Sequence, residues 1–308
     1  MQTVLITGGT GLIGRALSQQ LVLKGYKVII LIRSPSSKQD MNGVSYAAWN
    51  VKTQTIDVAA VQQADFILHL AGAGVMEKKW TPAYKAEIVS SRTQSSKLLA
   101  DTLHKYPHHV QAIISSSAIG WYGADKIPSH AFSEEEPAAN DFLAQVCQQW
   151  EHSIEVAEST GVRVCKLRTG IVLSNGGGAL KEFKLPLRFG LAGIIGGGSQ
   201  VVSWIHIDDL CRMFHHAMVT NIHGSYNAAA PMPATNKKLI LTLAKAIRGK
   251  FFIPLHAPVF LLKLILGARS IEVLKSTTVS DEKIKATGFT FLYPSIESAI
   301  GELTGKSE

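Results

Sequence analysis

Apolar residues recur along this chain with two periods, and the switches between them mark the elements. Residues 3–6 form a short apolar run with the character of a buried strand, and residues 27–32 form a second. Between them, residues 8–14 make a glycine-rich turn. Residues 15–24 then place Ala16, Leu17 and Leu21 at helical spacing ahead of Gly25, a residue suited to close a helix. This unit of about 30 residues reads strand–turn–helix–strand, a βαβ module. Residues 34–43 are polar and loop-like. Further strands are predicted at 64–70, 111–115 and 162–167, and helices at 82–106 and 141–159. Strands separated by helices build a parallel sheet covered on both faces.

The texture changes after residue 169. Glycine triplets at 176–178 and 196–198 bracket a segment rich in Leu, Phe and Gly. Residues 201–207 read as a strand leading to Asp208-Asp209 and a helix. Residues 237–248 read as a helix, followed by a proline-flanked apolar stretch and a short strand near 289–291. The pattern divides the chain into a larger domain, 1–168 rejoined by 201–226, and a smaller lobe of 169–200 and 227–308.

Composition narrows the class. With 46% hydrophobic, 18% charged and 7% aromatic residues over 308 positions, the chain is globular and long enough for two lobes. Cys147, Cys165 and Cys211 are too few and too scattered for a disulfide framework or a cysteine-built metal site, which points to a reducing compartment. No secretory leader precedes the first strand, so a cytoplasmic location is expected. The apolar stretch 257–266 is too short to span a bilayer and contains Lys263, so no membrane partner is expected. The net charge of +8 comes without a Lys/Arg run, a zinc-finger pattern or an RNP-type motif. Nucleic acid is therefore not an expected partner, and the charge reads as a solvated surface or as attraction for an anionic cofactor.

The strongest motif is Thr7-Gly8-Gly9-Thr10-Gly11-Leu12-Ile13-Gly14. Its glycines at 8, 11 and 14 follow a strand and open a helix. A tight turn needs a residue without Cβ, a pyrophosphate needs close approach to the backbone, and helix and strand need room to pack. The helix N-terminus then offers free N–H groups and the positive end of its dipole to phosphates. The expected fold is accordingly α/β, a Rossmann-type doubly wound parallel sheet with a smaller C-terminal substrate lobe. The second strand ends Ile32-Arg33-Ser34. An acidic residue there would accept a ribose 2′-hydroxyl, whereas an arginine pairs with a 2′-phosphate, so Arg33, with Ser34 as a hydroxyl donor, argues for NADP.

With these residues in place, the chain resembles the extended short-chain dehydrogenase/reductase superfamily. It is most similar to its atypical NAD(P)-dependent epimerase/dehydratase-like branch, which carries a characteristic C-terminal domain of unassigned function. The matching stretches are TGGTGLIG (7–14), HLAGAGV (69–75), SRTQSSKLLA (91–100), SSSAIGWYG (115–123), FLAQVCQQWE (142–151), LRTGIVLSNGGGAL (167–180) and SWIHIDDL (203–210). The resemblance implies that Gly8, Thr10, Gly11, Leu12, Ile13, Gly14, Ile32, Arg33 and Ser34 hold the cofactor. It adds Leu70, Ala71 and Gly72 beside the adenosine ribose, Glu87 and Arg92 on the following helix, Ser115, and Val172 near the nicotinamide. Similar proteins commonly form homodimers through helices that flank the sheet.

The same resemblance exposes a departure. The superfamily transfers protons with a Ser or Thr, a Tyr and a Lys, the last two at spacing four on one helix face. With Glu151 as the anchor, the tyrosine position is Leu143 and the lysine position is Cys147. Neither does that chemistry. A literal Y-x-x-x-K, Tyr122 to Lys126, lies directly after the serine strand, is interrupted by Gly123, and comes about twenty residues too early. Ser117, with Ser116 as the alternative, keeps the serine position. Tyr122, the run Glu134-Glu135-Glu136 and Glu77 remain as other acid/base candidates. His206-Ile207-Asp208 reads as a strand-to-helix corner, and no metal site is expected. Two functions stay open: an NADP-dependent oxidoreductase or epimerase acting on a small polar, nucleotide-sugar-like metabolite, or a non-catalytic NADP-binding sensor or scaffold.

Overall fold

Short apolar strands and amphipathic helices alternate from the first residues of the computed structural model, which describes residues 1–35, 43–127 and 130–305. β1 (Thr3–Thr7) passes through the glycine turn into α1 (Leu12–Leu23), and β2 (Lys27–Ile32) returns beside it. β3 (Val44–Asn50), β4 (Thr55–Ile56), α2 (Val58–Gln62), β5 (Phe66–His69), α3 (Pro82–Lys105), β6 (Ala112–Ala118), α4 (Phe142–Glu155) and β7 (Arg163–Thr169) follow. The later part comprises β8 (Ile171–Leu173), α5 (Ala179–Leu187), β9 (Leu191–Ile195), β10 (Val201–Val202), β11 (Trp204–His206), α6 (Ile207–Val219) and β12 (Gly224–Ala228). It ends with β13 (Ala234–Thr235), α7 (Asn236–Arg248), β14 (Ile253–Ala257), α8 (Val259–Leu266), α9 (Ser270–Leu274), α10 (Glu282–Ala286) and α11 (Ile296–Leu303).

The main sheet has the order β12-β7-β6-β5-β1-β2-β3-β4. All its pairs are parallel except β3–β4 at the edge. The chain winds outward in both directions from β1, so the order reverses between β1 and β5. Doubly wound sheets bind ligands outside the strand C-termini at such a point. The fold class read from the sequence is therefore observed. Each face of the sheet carries its own core. Ile6, Ile30, Ile114 and Leu167 pack with Leu17 and Leu21 of α1 and Leu210 and Phe214 of α6. Leu5, Ile67, Ile113 and Val164 pack with Leu98 and Leu99 of α3 and Ile154 of α4. A third core, including Leu180, Trp204, Leu239, Leu243 and Ile300, holds the later elements together.

Several local expectations change. α1 begins at Leu12, not Arg15, because the last glycines of the turn already lie in its first turn. β3 and β4 escaped notice, since residues 44–56 mix polar and aromatic positions at a half-covered edge. The strand predicted at 201–207 is two strands, β10 and β11, broken at Ser203, and Ile207 already opens α6; the Ser203 carbonyl accepts from Ile171 N–H at 2.9 Å and its Oγ from Val279 N–H at 3.2 Å. No strand forms at 289–291: Phe289 and Phe291 instead pack edge to face on the α6 side. Part of the predicted 34–43 loop lies outside the described residues. Among the described residues, no helix is long and apolar enough to cross a membrane.

Candidate functional site

The glycine turn is as tight as its sequence demands. Gly8 has φ +68°, and a Cβ on it would lie 2.9 Å from the Leu70 backbone. A Cβ on Gly14 would lie 2.5 Å from the Gly8 carbonyl oxygen and the Gly9 Cα. The Gly11 N–H donates to the Gly8 carbonyl at 3.0 Å, and no side chain caps α1. The first N–H groups of α1, at Leu12 and Ile13, therefore have no intrahelical acceptor and face the crevice with the positive end of the dipole. Thr10 is exposed at the tip, where Arg15 donates to its carbonyl oxygen at 2.6 Å. Leu12 touches the later glycine triplet: its Cδ atoms would meet a Cβ on Gly176 at 3.0 Å and on Gly178 at 3.2 Å. The chain after β8 thus closes down on the start of α1.

Behind the turn lies a relay that sequence reasoning missed. The Thr7 hydroxyl accepts from the N–H groups of Leu70 and Ala71 at 3.0 and 3.1 Å. With its lone pairs used, its own proton goes to His69 Nδ1, 2.8 Å away. His69 therefore carries its proton on Nε2, facing the Ser96 hydroxyl at 3.1 Å. Burial, reinforced by the Arg92 charge, pushes its pKa down to about 3. His69 is a neutral strut that fixes Leu70, Ala71 and Gly72 beside the turn. Its signal was present in the stretch HLAGAGV.

Register places the end of β2 next to this turn, with Thr7 opposite Leu31. Ile32 is half-buried, while Arg33 and Ser34 are exposed beyond it. Among the described residues Arg33 forms no ion pair. Glu87 is on the outer face of α3, 3.6 Å from Lys78 Nζ. Arg92 does not extend outward. It is buried between Gly72 and the Trp150 ring, donates to the carbonyls of Ala73 and Ile88 at 3.0 and 2.9 Å, and acts electrostatically on Cys147. Val172 is half-buried in β8, opposite Ile205 of β11.

The serine strand presents its residues to opposite faces. Ser115 and Ser117 face α4, and Ser116 faces α1 and α6. Ser115 turns its hydroxyl to the neighbouring Ser116 carbonyl at 3.1 Å. Ser117 donates to Glu151 Oε1 at 2.6 Å. Arg168 clamps the same carboxylate through Nε and Nη2 at 2.9 and 3.0 Å, and Ser225 donates to Oε2 at 2.9 Å. Ser116 Oγ is buried without a hydrogen-bond partner. It is an orphaned hydroxyl near the C-terminal end of the sheet, of the kind a bound polar group would satisfy.

Tyr122 joins this network as a framework residue. Its hydroxyl accepts from Arg168 Nη1 at 2.9 Å and donates to Asn227 Oδ1 at 2.8 Å, and its ring stacks on Phe132. Burial pushes its pKa up to about 12 against the pull of Arg168. The literal Y-x-x-x-K is broken after a short 3-10 turn by Gly123 at φ +72°, so Tyr122 and Lys126 do not share a helix face. Glu134 accepts from Asn227 N–H at 2.7 Å, Glu135 pairs with Lys283, and Glu136 pairs with His130. Glu77 is exposed in the loop that follows Gly74. Leu143 and Cys147, at the positions of the expected Tyr and Lys, are buried on α4. Burial, with the Glu151 charge, pushes the Cys147 thiol up to about 12. Neither is an acid/base at neutral pH.

His206, Asp208 and Glu302 converge, but both ring nitrogens of His206 are committed. Nδ1 accepts from the Asp208 N–H at 3.1 Å as the N-cap of α6, which leaves Nε2–H to donate to Glu302 at 2.8 Å. The triad is a strand-to-helix corner.

Comparison with known proteins fits this geometry. Residues 4–229 match the NAD dependent epimerase/dehydratase family, and residues 257–303 match a domain of unknown function, DUF1731. An epimerase family protein of Staphylococcus haemolyticus, SH2119, is 36% identical over 305 residues, covering 98% of this chain and 99% of the relative. The crystal structure of human epimerase family protein SDR39U1 (isoform 2) with NADPH superposes with a TM-score of 0.86 at 30% identity, over 99% of each chain. A nucleoside-diphosphate sugar epimerase from Corynebacterium glutamicum superposes at 0.78 with 31% identity, over 100% of this chain and 59% of that one.

Proposed function

We propose, from the premise that the chain belongs to the NAD dependent epimerase/dehydratase family, that it binds NADP(H) in the crevice at the β1–β5 switch point. There it serves as an oxidoreductase or epimerase for a small polar, nucleotide-sugar-like metabolite. The observation that carries the cofactor choice is Arg33, exposed at the end of β2 beside the glycine turn and without an ion pair among the described residues. A guanidinium there suits a ribose 2′-phosphate, and no carboxylate stands at that strand end to claim a 2′-hydroxyl. The human relative solved with NADPH supports the same reading.

The crevice fits a dinucleotide. Gly8, Gly11 and Gly14 leave room for a pyrophosphate against the free N–H groups of Leu12 and Ile13. Leu70, Ala71 and Gly72 are fixed beside it by Thr7 and His69. The bound nicotinamide supplies hydride acceptance or donation. The protein's own residues position and exclude water: Leu12 and the 176–178 loop cover the turn, and Ser116 offers an unpaired hydroxyl. Ser117 already donates its hydroxyl hydrogen to Glu151 and meets a ligand only as an acceptor.

A second reading, a dinucleotide-binding sensor without turnover, is favoured by one observation. Leu143 and Cys147 stand where the proton-transfer pair is expected, and Tyr122, just after the serine strand, is locked to Arg168 and Asn227.

Titration with NADPH and NADH, followed by nicotinamide fluorescence, tests the cofactor. Arg33→Ala should weaken NADPH by roughly tenfold to a hundredfold, the scale of a lost charge-assisted contact, and leave NADH unchanged. Equal affinities in the wild type, or no selective loss in the variant, would sink the NADP assignment. A carbonyl panel then separates the readings: oxidation of bound NADPH by any member supports the enzyme, and its absence across the panel supports the sensor.

A further inference from the structure

Helix α8 has the sequence Val-Phe-Leu-Leu-Lys-Leu-Ile-Leu, and none of its eight residues is buried. Phe260 and Leu264 are 74% and 79% exposed. A helix that is apolar all round normally lies inside a protein or in lipid. This one is about 12 Å long, far too short to cross a bilayer.

The exposed surface continues beyond the helix. β14 leads directly into α8 and, among the described residues, pairs only with β9, which leaves its other edge unpaired there. Phe251, Ile253 and Leu255 are exposed along it, and Phe189 is exposed just before β9. Ten of the twenty-one exposed large apolar side chains among the described residues fall within 247–271.

Charge separates the candidate partners. Residues 179–200 and 236–275 hold eleven Lys/Arg against two Asp/Glu, whereas the rest of the chain holds twenty against twenty-one. The positive excess of the sequence therefore falls in the segments that build and flank this apolar surface, where Lys238 pairs with Glu297 and the buried Lys275 with Glu272 and Asp141 while the rest add to its charge. Arg248 donates to the carbonyls of Leu187 and Arg188, which brings Arg188, Arg248 and Lys250 to the same corner as Phe189 and Phe251. Lys263, in the middle of α8, has a stem long enough to lift its ammonium from an apolar layer to the headgroups. A second copy docked face to face would bring two such positive segments together.

We propose that α8 and the β14 edge dock the protein on an anionic lipid surface, with the apolar side chains entering the headgroup–acyl boundary and the basic residues meeting acidic headgroups. The expectation of no membrane contact rested on the length needed to span, and length does not bear on a helix lying in the interface. The inference is independent of the cofactor assignment.

Flotation of the full-length protein with vesicles tests it. Vesicles of phosphatidylcholine mixed with phosphatidylglycerol should carry the protein at low salt, and pure phosphatidylcholine should not. Raising the salt should release part of it. The variant Phe260→Ser/Leu264→Ser changes only exposed side chains, and should keep the wild-type melting curve while binding about tenfold or more weakly. Arg188→Glu/Lys250→Glu should weaken binding roughly fivefold or more per charge. Failure to float with either vesicle, or flotation undiminished by Phe260→Ser/Leu264→Ser, overturns the proposal. So does a concentration-dependent dimer in sedimentation that this same double variant abolishes, because a second copy then covers the face.

Discussion

Ser117 of β6 donates a hydrogen bond to Glu151 of α4 at 2.6 Å, and that carboxylate is simultaneously clamped by Arg168 from the neighbouring strand. Register aligns Ser117, Arg168 and Asn227 side by side on β6, β7 and β12, so one acid on one helix ties together the C-terminal ends of strands far apart in sequence. Ser117, the serine expected to orient substrate, is thereby held as part of the framework. All three partners are buried, and the strength of the arrangement lies in its completeness.

Removing one member should therefore cost far more than a surface ion pair. Glu151→Ala leaves the Arg168 guanidinium buried without its carboxylate, and urea denaturation should show a loss of about 3–5 kcal/mol. Arg168→Met/Glu151→Leu, which removes both charges, should recover much of that loss. A cost for Glu151→Ala under about 1 kcal/mol would mean that water reaches the pair and screens it.

The glycine turn has no room for a methyl group at its inner corner. Gly14→Ala would set a Cβ 2.5 Å from the Gly8 carbonyl and the Gly9 Cα, both rigid backbone atoms. The turn must open, and NADPH binding measured by fluorescence should fall at least about tenfold, with circular dichroism still showing a folded chain. Gly25→Ala is the control: its Cβ meets nothing within 4 Å, although its φ of +84° carries a strain cost of about 1 kcal/mol.

His69 links stability to pH. Its folded pKa of about 3 lies below the ordinary histidine value of 6.5, so between these two values the unfolded chain binds a proton that the native protein does not. Stability contributed by neutral His69 is complete above pH 6.5 and is lost as pH falls toward 3. Between pH 6.5 and pH 5 the wild type should lose about 2 kcal/mol through this residue alone. Urea denaturation at both pH values, compared with His69→Gln, isolates it from the carboxylates. Equal pH slopes in the two proteins would show that His69 is protonated in the folded state.

Most of the sheet was legible because periodicity, glycine placement and element length agreed. β2 falls on residues 27–32 as predicted, and the glycine motif joins a strand to a helix as its sequence required. What escaped was set by distance in space. Nothing local in Glu151, Arg168, Tyr122 and Asn227 announces that strands separated by tens of residues bring them together, and Tyr122 looked reactive only because its partners were invisible. β3 was hidden by the mixed polarity of a half-covered strand. α8 was legible only as an apolar stretch too short to span a bilayer, and only exposure distinguishes a buried apolar helix from one at the surface.

The missing lysine can be tested through the charge that stands near its place. Arg92, on α3, is buried against Gly72 and Trp150 with carbonyl hydrogen-bond partners, and its charge bears on Cys147, the position where the resemblance leads one to expect the lysine. On that expectation, the Arg92 guanidinium would take the place of the ammonium. If that is so, Cys147→Lys places a second cation beside the first in a buried site and should cost roughly 3–5 kcal/mol in urea denaturation. In an Arg92→Met background the same substitution meets no like charge. The double-mutant cycle should return about 1–3 kcal/mol of favourable coupling. NADPH affinity gives a readout that stability alone does not move: Arg92→Met should weaken it, and Arg92→Met/Cys147→Lys should restore it. Additive stability costs together with no recovery of binding would mean that Arg92 serves packing alone, and that the crevice works without any cation at that position.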